Sequence, residues 1–325
     1  LVLAALAIPG LLDVWHLVAL SLVNGMARGV QMPAGGSLLP NLVPRDHLLN
    51  AIALNSAAQH GSRLLGPLLI APLMLTVGVA WAFLFCTTFY TLGLLQVLRI
   101  RTRSRGVVRS EQGFLRNVAE GFVYVYHDPL LLSLLVLIIA HCALTMAFES
   151  LFPLLVREKL GMGGEGVAYL MMGVGGGALV CVLSLASVRS ELVRGRLLLG
   201  FGVASGLTPL TLGLAPNLPL MVMAAAGMGA SQAAFMTLFH AVVQSIVPDS
   251  IRGRISALSN MHIAGFMATF NLVTGFLAEV HPPGWILGTT GVAFVLVVAA
   301  SFLKVPLRRL YKEGVPALAA AEAVA

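Results

Sequence analysis

Runs of about 20 apolar residues follow one another along almost the whole chain, and no other feature restricts its fold as strongly. As a helix rising 1.5 Å per residue, such a run covers the roughly 30 Å hydrocarbon core of a bilayer. Lipid offers no hydrogen bonds to a polypeptide backbone, so only helices and closed barrels cross it. The runs are continuous and do not alternate, which selects helices. Charged residues make up 10% of the chain, against about 25% in an ordinary soluble domain. An all-α, polytopic membrane helix bundle is therefore expected. Its helices are predicted at 1–11 (partial), 14–36, 49–74, 79–98, 130–155, 166–188, 195–214, 217–246, 253–278 and 284–303. Residues 1–98 form one bundle, 99–129 a basic connection, 130–304 a second bundle and 305–325 a tail.

The net charge of +7 does not point to nucleic acid, because the basic residues sit in short clusters between apolar runs. Basic loops stay cytoplasmic during insertion. Sixteen of the 20 Lys and Arg residues fall on one side: Arg45, the arginines from Arg99 to Arg116, Arg189 to Arg196, Arg252, Arg254 and the Lys304 to Lys312 cluster. Arg157 and Lys159 fall on the other. Residues 99–129 and the C-terminus are thus expected in the cytoplasm, and the segment from Phe114 to Val125, apolar at helical spacing, along the membrane surface. Cys86, Cys142 and Cys181 lie singly inside apolar runs, without metal-ligand or disulfide spacing. No metal and no cofactor is expected. Gly173–Ala178 (GVGGGA) imitates a dinucleotide fingerprint but follows no strand, so it is read as a stripe for close helix packing.

VPRDHLLNAIALNS from Val43 resembles VPDSIRGRISALSN from Val247, an offset of 204 residues. The offset continues without a gap, pairing Gly61 with Gly265 and Trp81 with Trp285. Two parallel repeats follow, a common plan of secondary transporters. Because the chain opens on Leu1 within an apolar run, an N-terminal truncation lacking the first two to three of twelve helices is also expected.

GMARGVQMPAGGSLLPNLVPRDHLLNAIALNS (Gly25–Ser56), the pair Gly66 and Pro67, and IVPDSIRGRISAL (Ile246–Leu258) resemble the enterobactin-exporter-like, transmembrane secretion effector branch of the major facilitator superfamily. The resemblance implies a major facilitator fold of two six-helix halves in the bacterial cytoplasmic (inner) membrane. It implies a helix-packing motif of Gly61, Gly66 and Pro67 in the superfamily's fifth helix, although Ile70 and Ala71 stand where a further Gly pair belongs. It also implies a cytoplasmic gate of Arg252, Gly253 and Arg254, against which simple positive-inside anchoring remains open.

Ionisable side chains at membrane depth face water or one another. Polar residues three or four apart share a helix face. Candidate cavity or substrate residues are Asn24, Arg28 and Gln31 on one helix, Asn55, Gln59 and Arg63 on the next, His141 with Thr145, then Gln232 and His240, and His262. Glu149 is the carboxylate read as lying well inside a helix and is the proton-coupling candidate, with Arg28 or Arg63 as a partner. A fixed ion pair is the competing reading for Glu149, and satisfied polar core residues for the histidines.

The function expected is secondary active transport: proton-coupled efflux of an amphiphilic small molecule, a siderophore or a drug-like compound, by alternating access. Uptake or lysolipid flipping by the same fold, an intramembrane serine hydrolase built on GASQ (Gly229–Gln232), and a non-transporting scaffold are the alternatives. The partners expected are the lipid bilayer, a small-molecule substrate and a proton gradient, acting on a monomer.

Overall fold

The computed structural model describes residues 2–42, 58, 61–62, 65–67, 69–70, 72–74, 76–100, 122–185, 191–247 and 252–314. Every regular element among them is helical: α1 Val2–Ala7, α2 Val14–Leu42, α3 Val79–Leu98, α4 Pro129–Leu144, α5 Phe152–Leu160, α6 Gly164–Leu185, α7 Glu191–Leu214, α8 Leu218–Ile246, α9 Arg252–Leu277, α10 Pro283–Ser301 and α11 Val305–Glu313. Parts of α3, α6, α7, α8 and α10 are long and apolar enough to cross a membrane. The 29-residue α2 and 26-residue α9 are long enough but more polar.

The chain divides into two compact units, one of residues 1–59 and 65–109, the other of 60–64 and 110–325. In the first, α1 packs against α3. In the second, α8 packs on α6 and α7, α10 on α7, and α4 on α9 and α10.

Helix bounds repeat at the offset read from the residues. Shifted by 204, α2 coincides with α8 at both ends, and α3 coincides with α10 to within one residue. Local chemistry sets several starts. Asp128 caps α4, its carboxylate accepting from the Leu130 and Leu131 amides at 2.8 and 2.9 Å, with Pro129 in the first turn. Asn217 caps α8 through the Leu220 amide at 3.1 Å.

Glycine brings the helices together. A Cβ at Gly229 on α8 would strike the Val174 carbonyl of α6, and one at Gly177 the Ala226 carbonyl of α8. A Cβ at Gly173 would lie 2.7 Å from the Val222 carbonyl. The GVGGGA stripe is therefore a packing surface, as expected.

The second unit has two apolar clusters. One gathers Leu131, Leu134, Ile138, Leu198, Phe235, Phe239 and Phe294 and reaches Leu307, Leu310 and Tyr311 of α11. The other gathers Phe148, Phe152, Leu155, Leu170, Leu212, Met221 and Ile286. In α11, Arg308, Arg309 and Lys312 stay exposed while Leu307, Leu310 and Tyr311 are buried. Tyr311 Oη lies 3.0 Å from Ser301 Oγ, and burial raises its phenol above the ordinary tyrosine range.

One expectation needs correction. The single helix read at 130–155 is two, α4 and α5, separated by turns at 145–151. Pro153 sits in the first turn of α5, where its missing amide costs no intrahelical bond and its ring favours a helix start. Residues 122–127, the described end of the expected surface helix, are packed on the bundle, with Val125 buried and Phe122 5.8 Å from the His262 ring.

Candidate functional site: a polar layer beside a broken helix

Between the two apolar clusters lies a layer of polar side chains drawn from three helices. His141 Nε2 on α4 is 2.8 Å from Ser205 Oγ on α7. Ser205 donates to Thr145 Oγ1 at 3.4 Å, and Thr145 donates back to the His141 carbonyl at 2.8 Å. Gln232, midway along α8, donates from Nε2 to the Thr145 carbonyl at 2.7 Å. His141, Thr145, Ser205 and Gln232 are all buried. The His141 ring stacks on Phe235 at 4.4 Å and meets the edge of Phe294 on α10 at 5.1 Å.

These bonds explain how the helix break is tolerated. Non-helical backbone at membrane depth survives only where protein or water satisfies it. At the break, the Thr145 carbonyl takes its hydrogen from Gln232, a residue 87 positions later in the chain. Thr274 of α9 donates to the Ala147 carbonyl at 3.3 Å and lies 3.2 Å from Ser150 Oγ. Pro209 inside α7 likewise removes the amide that would meet the Ser205 carbonyl, loosening α7 at the same level.

The break is two-faced. Thr145, Ala147, Phe148 and Leu151 are buried, whereas Glu149 is exposed. Glu149 therefore sits on a turn and not within a helix, which corrects the sequence reading. Beyond it, α5 ends at Gly161, whose φ of 64° is the left-handed conformation glycine adopts freely. Near that end the Lys159 ammonium donates to the Gly213 and Ala215 carbonyls, satisfying the C-terminus of α7.

The remaining predicted residues are placed less uniformly. His141 and Gln232, expected on a cavity face, are buried inside the second unit, where Gln232 is hydrogen-bonded and His141 is bonded through Nε2 while its Nδ1 has no hydrogen-bond partner among the described residues. His240 is half-buried, its ring 5.4 Å from Phe239. His262 is half-buried, with Nδ1 2.8 Å from the Leu258 carbonyl. Asn24, Arg28 and Gln31 are exposed on α2. Asn55, Gln59 and Arg63 lie outside the described residues, as does the side chain of Arg252; Gly253 is in the first turn of α9 and Arg254 is half-buried. A Cβ on Gly61 or Gly66 would meet nothing within 4 Å among the described residues, so the structure shows no close helix approach there. Pro67 is half-buried beside them.

Sequence reading missed Ser205, Phe235 and Phe294. Ser205 alone carried a signal, as a polar residue in the middle of an apolar run. His141 and Ser205 are at the distance of a nucleophile and base, yet both are 0% exposed and closed to substrate here. Ser231 of the GASQ segment instead pairs with Thr208 at 3.2 Å and donates to the Met228 carbonyl.

A bundle of membrane-spanning helices, with a polar layer across its middle and a broken helix beside it, defines a multi-pass membrane protein. A family model described as transmembrane secretion effector matches residues 1–322. The chain belongs to that family, a branch of the major facilitator superfamily of transporters. Among curated relatives it is similar to the uncharacterized MFS-type transporter YfiS of Bacillus subtilis, 24% identical over 75% of this chain and 60% of the relative. It is also similar to the multidrug efflux pump Tap of Mycolicibacterium fortuitum, 24% identical over 59% of this chain and 46% of the pump. A third, the uncharacterized MFS-type transporter YvqJ of Bacillus subtilis, is 20% identical over 88% of this chain and 69% of the relative. The chain thus matches about half to two thirds of these relatives' lengths.

Proposed function

We propose that the chain carries out proton-coupled efflux of an amphiphilic small molecule by alternating access, with Glu149 as the proton-binding group. The observation that carries this reading is the break at 145–151, which holds its backbone in the polar layer and leaves Glu149 exposed. Interrupted helices at the binding level recur in secondary transporters, where unwound backbone and a titratable side chain meet the cargo. A carboxylate at membrane depth is favoured when protonated in a dry surrounding and when ionised beside water or a cation. Alternating between those surroundings couples proton uptake on one side to release on the other.

Arg63 is the proposed counter-charge, and Arg28, exposed on α2, suits an anionic group on the cargo. Arg252, Gly253 and Arg254 at the start of α9 are the proposed cytoplasmic gate, in a chain whose C-terminus also faces the cytoplasm. The efflux direction is supported by relatives named as multidrug efflux pumps.

Proteoliposomes carrying a pH gradient and an amphiphilic fluorescent dye test the proposal. Wild-type protein is expected to move protons and dye together, and Glu149→Gln to abolish proton-dependent dye movement while uncoupled exchange persists. Full proton-dependent transport by Glu149→Gln would remove Glu149 from the mechanism.

A further inference from the structure

A groove of ≈ 640 Å³ runs along α10 within the second unit, away from the polar layer. Its walls are apolar, Leu210 and Leu214 from α7 and Trp285, Val292 and Leu296 from α10. Its floor is nearly bare of side chains, because Gly213 and Gly284 bring the two backbones together. A Cβ on Gly213 would lie 2.5 Å from the Gly284 carbonyl. From Trp285 to Leu296 the groove runs about 16 Å at 1.5 Å per residue. That is the depth of one leaflet, half of the roughly 30 Å hydrocarbon core. Trp285 stands at the end of α10 where an interfacial aromatic belongs, its ring 4.8 Å from that of His281.

The mouth of the groove is charged in a definite order. Lys159 is half-buried, its ammonium directed at the end of α7, and Glu158 beside it is exposed. A cation close to the apolar groove and a carboxylate farther out complement a headgroup whose phosphate adjoins the acyl chains and whose ammonium lies outside it. We infer that this groove is a binding site for a phospholipid bearing a primary ammonium headgroup, of the phosphatidylethanolamine class. One acyl chain lies between α7 and α10, the phosphate sits by Lys159 and the ammonium by Glu158. An anionic phosphatidylglycerol headgroup lacks the cation that Glu158 requires.

The test uses Trp285 as the reporter. Trp15 and Trp81 are exposed and are replaced by Phe, leaving Trp285 as the sole indole. The protein is placed in phosphatidylglycerol vesicles containing a minor fraction of lipid with brominated acyl chains. Quenching by brominated phosphatidylethanolamine is expected to exceed that by brominated phosphatidylglycerol roughly threefold, the scale of one exposed charge pair. Ala293→Phe, which fills the groove, is expected to remove the excess, and Glu158→Gln to equalise the two lipids. Equal quenching of the parent protein by both lipids would overturn the site, and a preference that survives Glu158→Gln would overturn the headgroup assignment.

Discussion

Helices α2 and α8 have the same length and the same bounds at the 204-residue offset, yet they meet different surroundings. On α8, Gly229 lies against the α6 backbone, Gln232 is buried in the polar layer, and Phe235 is stacked on His141. Their counterparts on α2 are Gly25, Arg28 and Gln31. Gly25 meets nothing within 4 Å among the described residues, and Arg28 and Gln31 are exposed. The two copies share the helix, its length and the glycine at the first station, while Arg28 and Gln31 stand where α8 has Gln232 and Phe235. Between apolar helices in lipid, close packing and hydrogen bonds supply most of the association. The α8 stations therefore help hold the second unit together, whereas the equivalent α2 stations make no such contacts among the described residues.

Three paired substitutions sharpen this contrast, each read by unfolding in mixed micelles. Phe235→Ala should cost about 3 kcal/mol, since it leaves a cavity beside His141 and Phe294. Gln31→Ala should change stability by less than about 0.5 kcal/mol, as surface substitutions do. Next, Gly229→Ala should cost about 2 to 3 kcal/mol, because the added methyl forces two backbones apart. Gly25→Ala should be neutral or slightly stabilising, by up to about 1 kcal/mol through helix propensity. Smallest is Gln232→Leu, at about 1 to 2 kcal/mol for an unsatisfied buried carbonyl at Thr145. Arg28→Gln should leave stability unchanged and reduce transport. Equal costs within any pair would break the contrast at that station.

Much of the fold was legible beforehand because lipid imposes a length on every spanning helix. The run predicted at 79–98 is α3 to the residue, and those at 195–214, 217–246, 253–278 and 284–303 match α7 to α10 within a few residues. The repeat was legible because it preserved the VP pair, Gly61/Gly265 and Trp81/Trp285 as landmarks without a gap. The α4–α5 break was overlooked although Pro153 marks it, since apolar length alone runs straight through a proline. The site was legible only in part. His141, Thr145 and Glu149 share a helical stripe in the sequence, but that stripe assumed one continuous helix. The break turns Glu149 outward and His141 inward. Gln232 was identified as polar and central, whereas its partner, the Thr145 carbonyl, is a product of the break and has no signature in residue type.

The central claim is that the turn at 145–151 opens onto water and not onto lipid. Accessibility of position 149 tests it most directly. In a protein whose Cys86, Cys142 and Cys181 are replaced by Ser or Ala, Glu149→Cys should react with a water-soluble, membrane-impermeant maleimide, and an amphiphilic cargo should slow the reaction. Leu183→Cys, on the exposed apolar face of α6, should stay unlabelled. Inert Glu149→Cys beside inert Leu183→Cys would place the turn in lipid and contradict the claim.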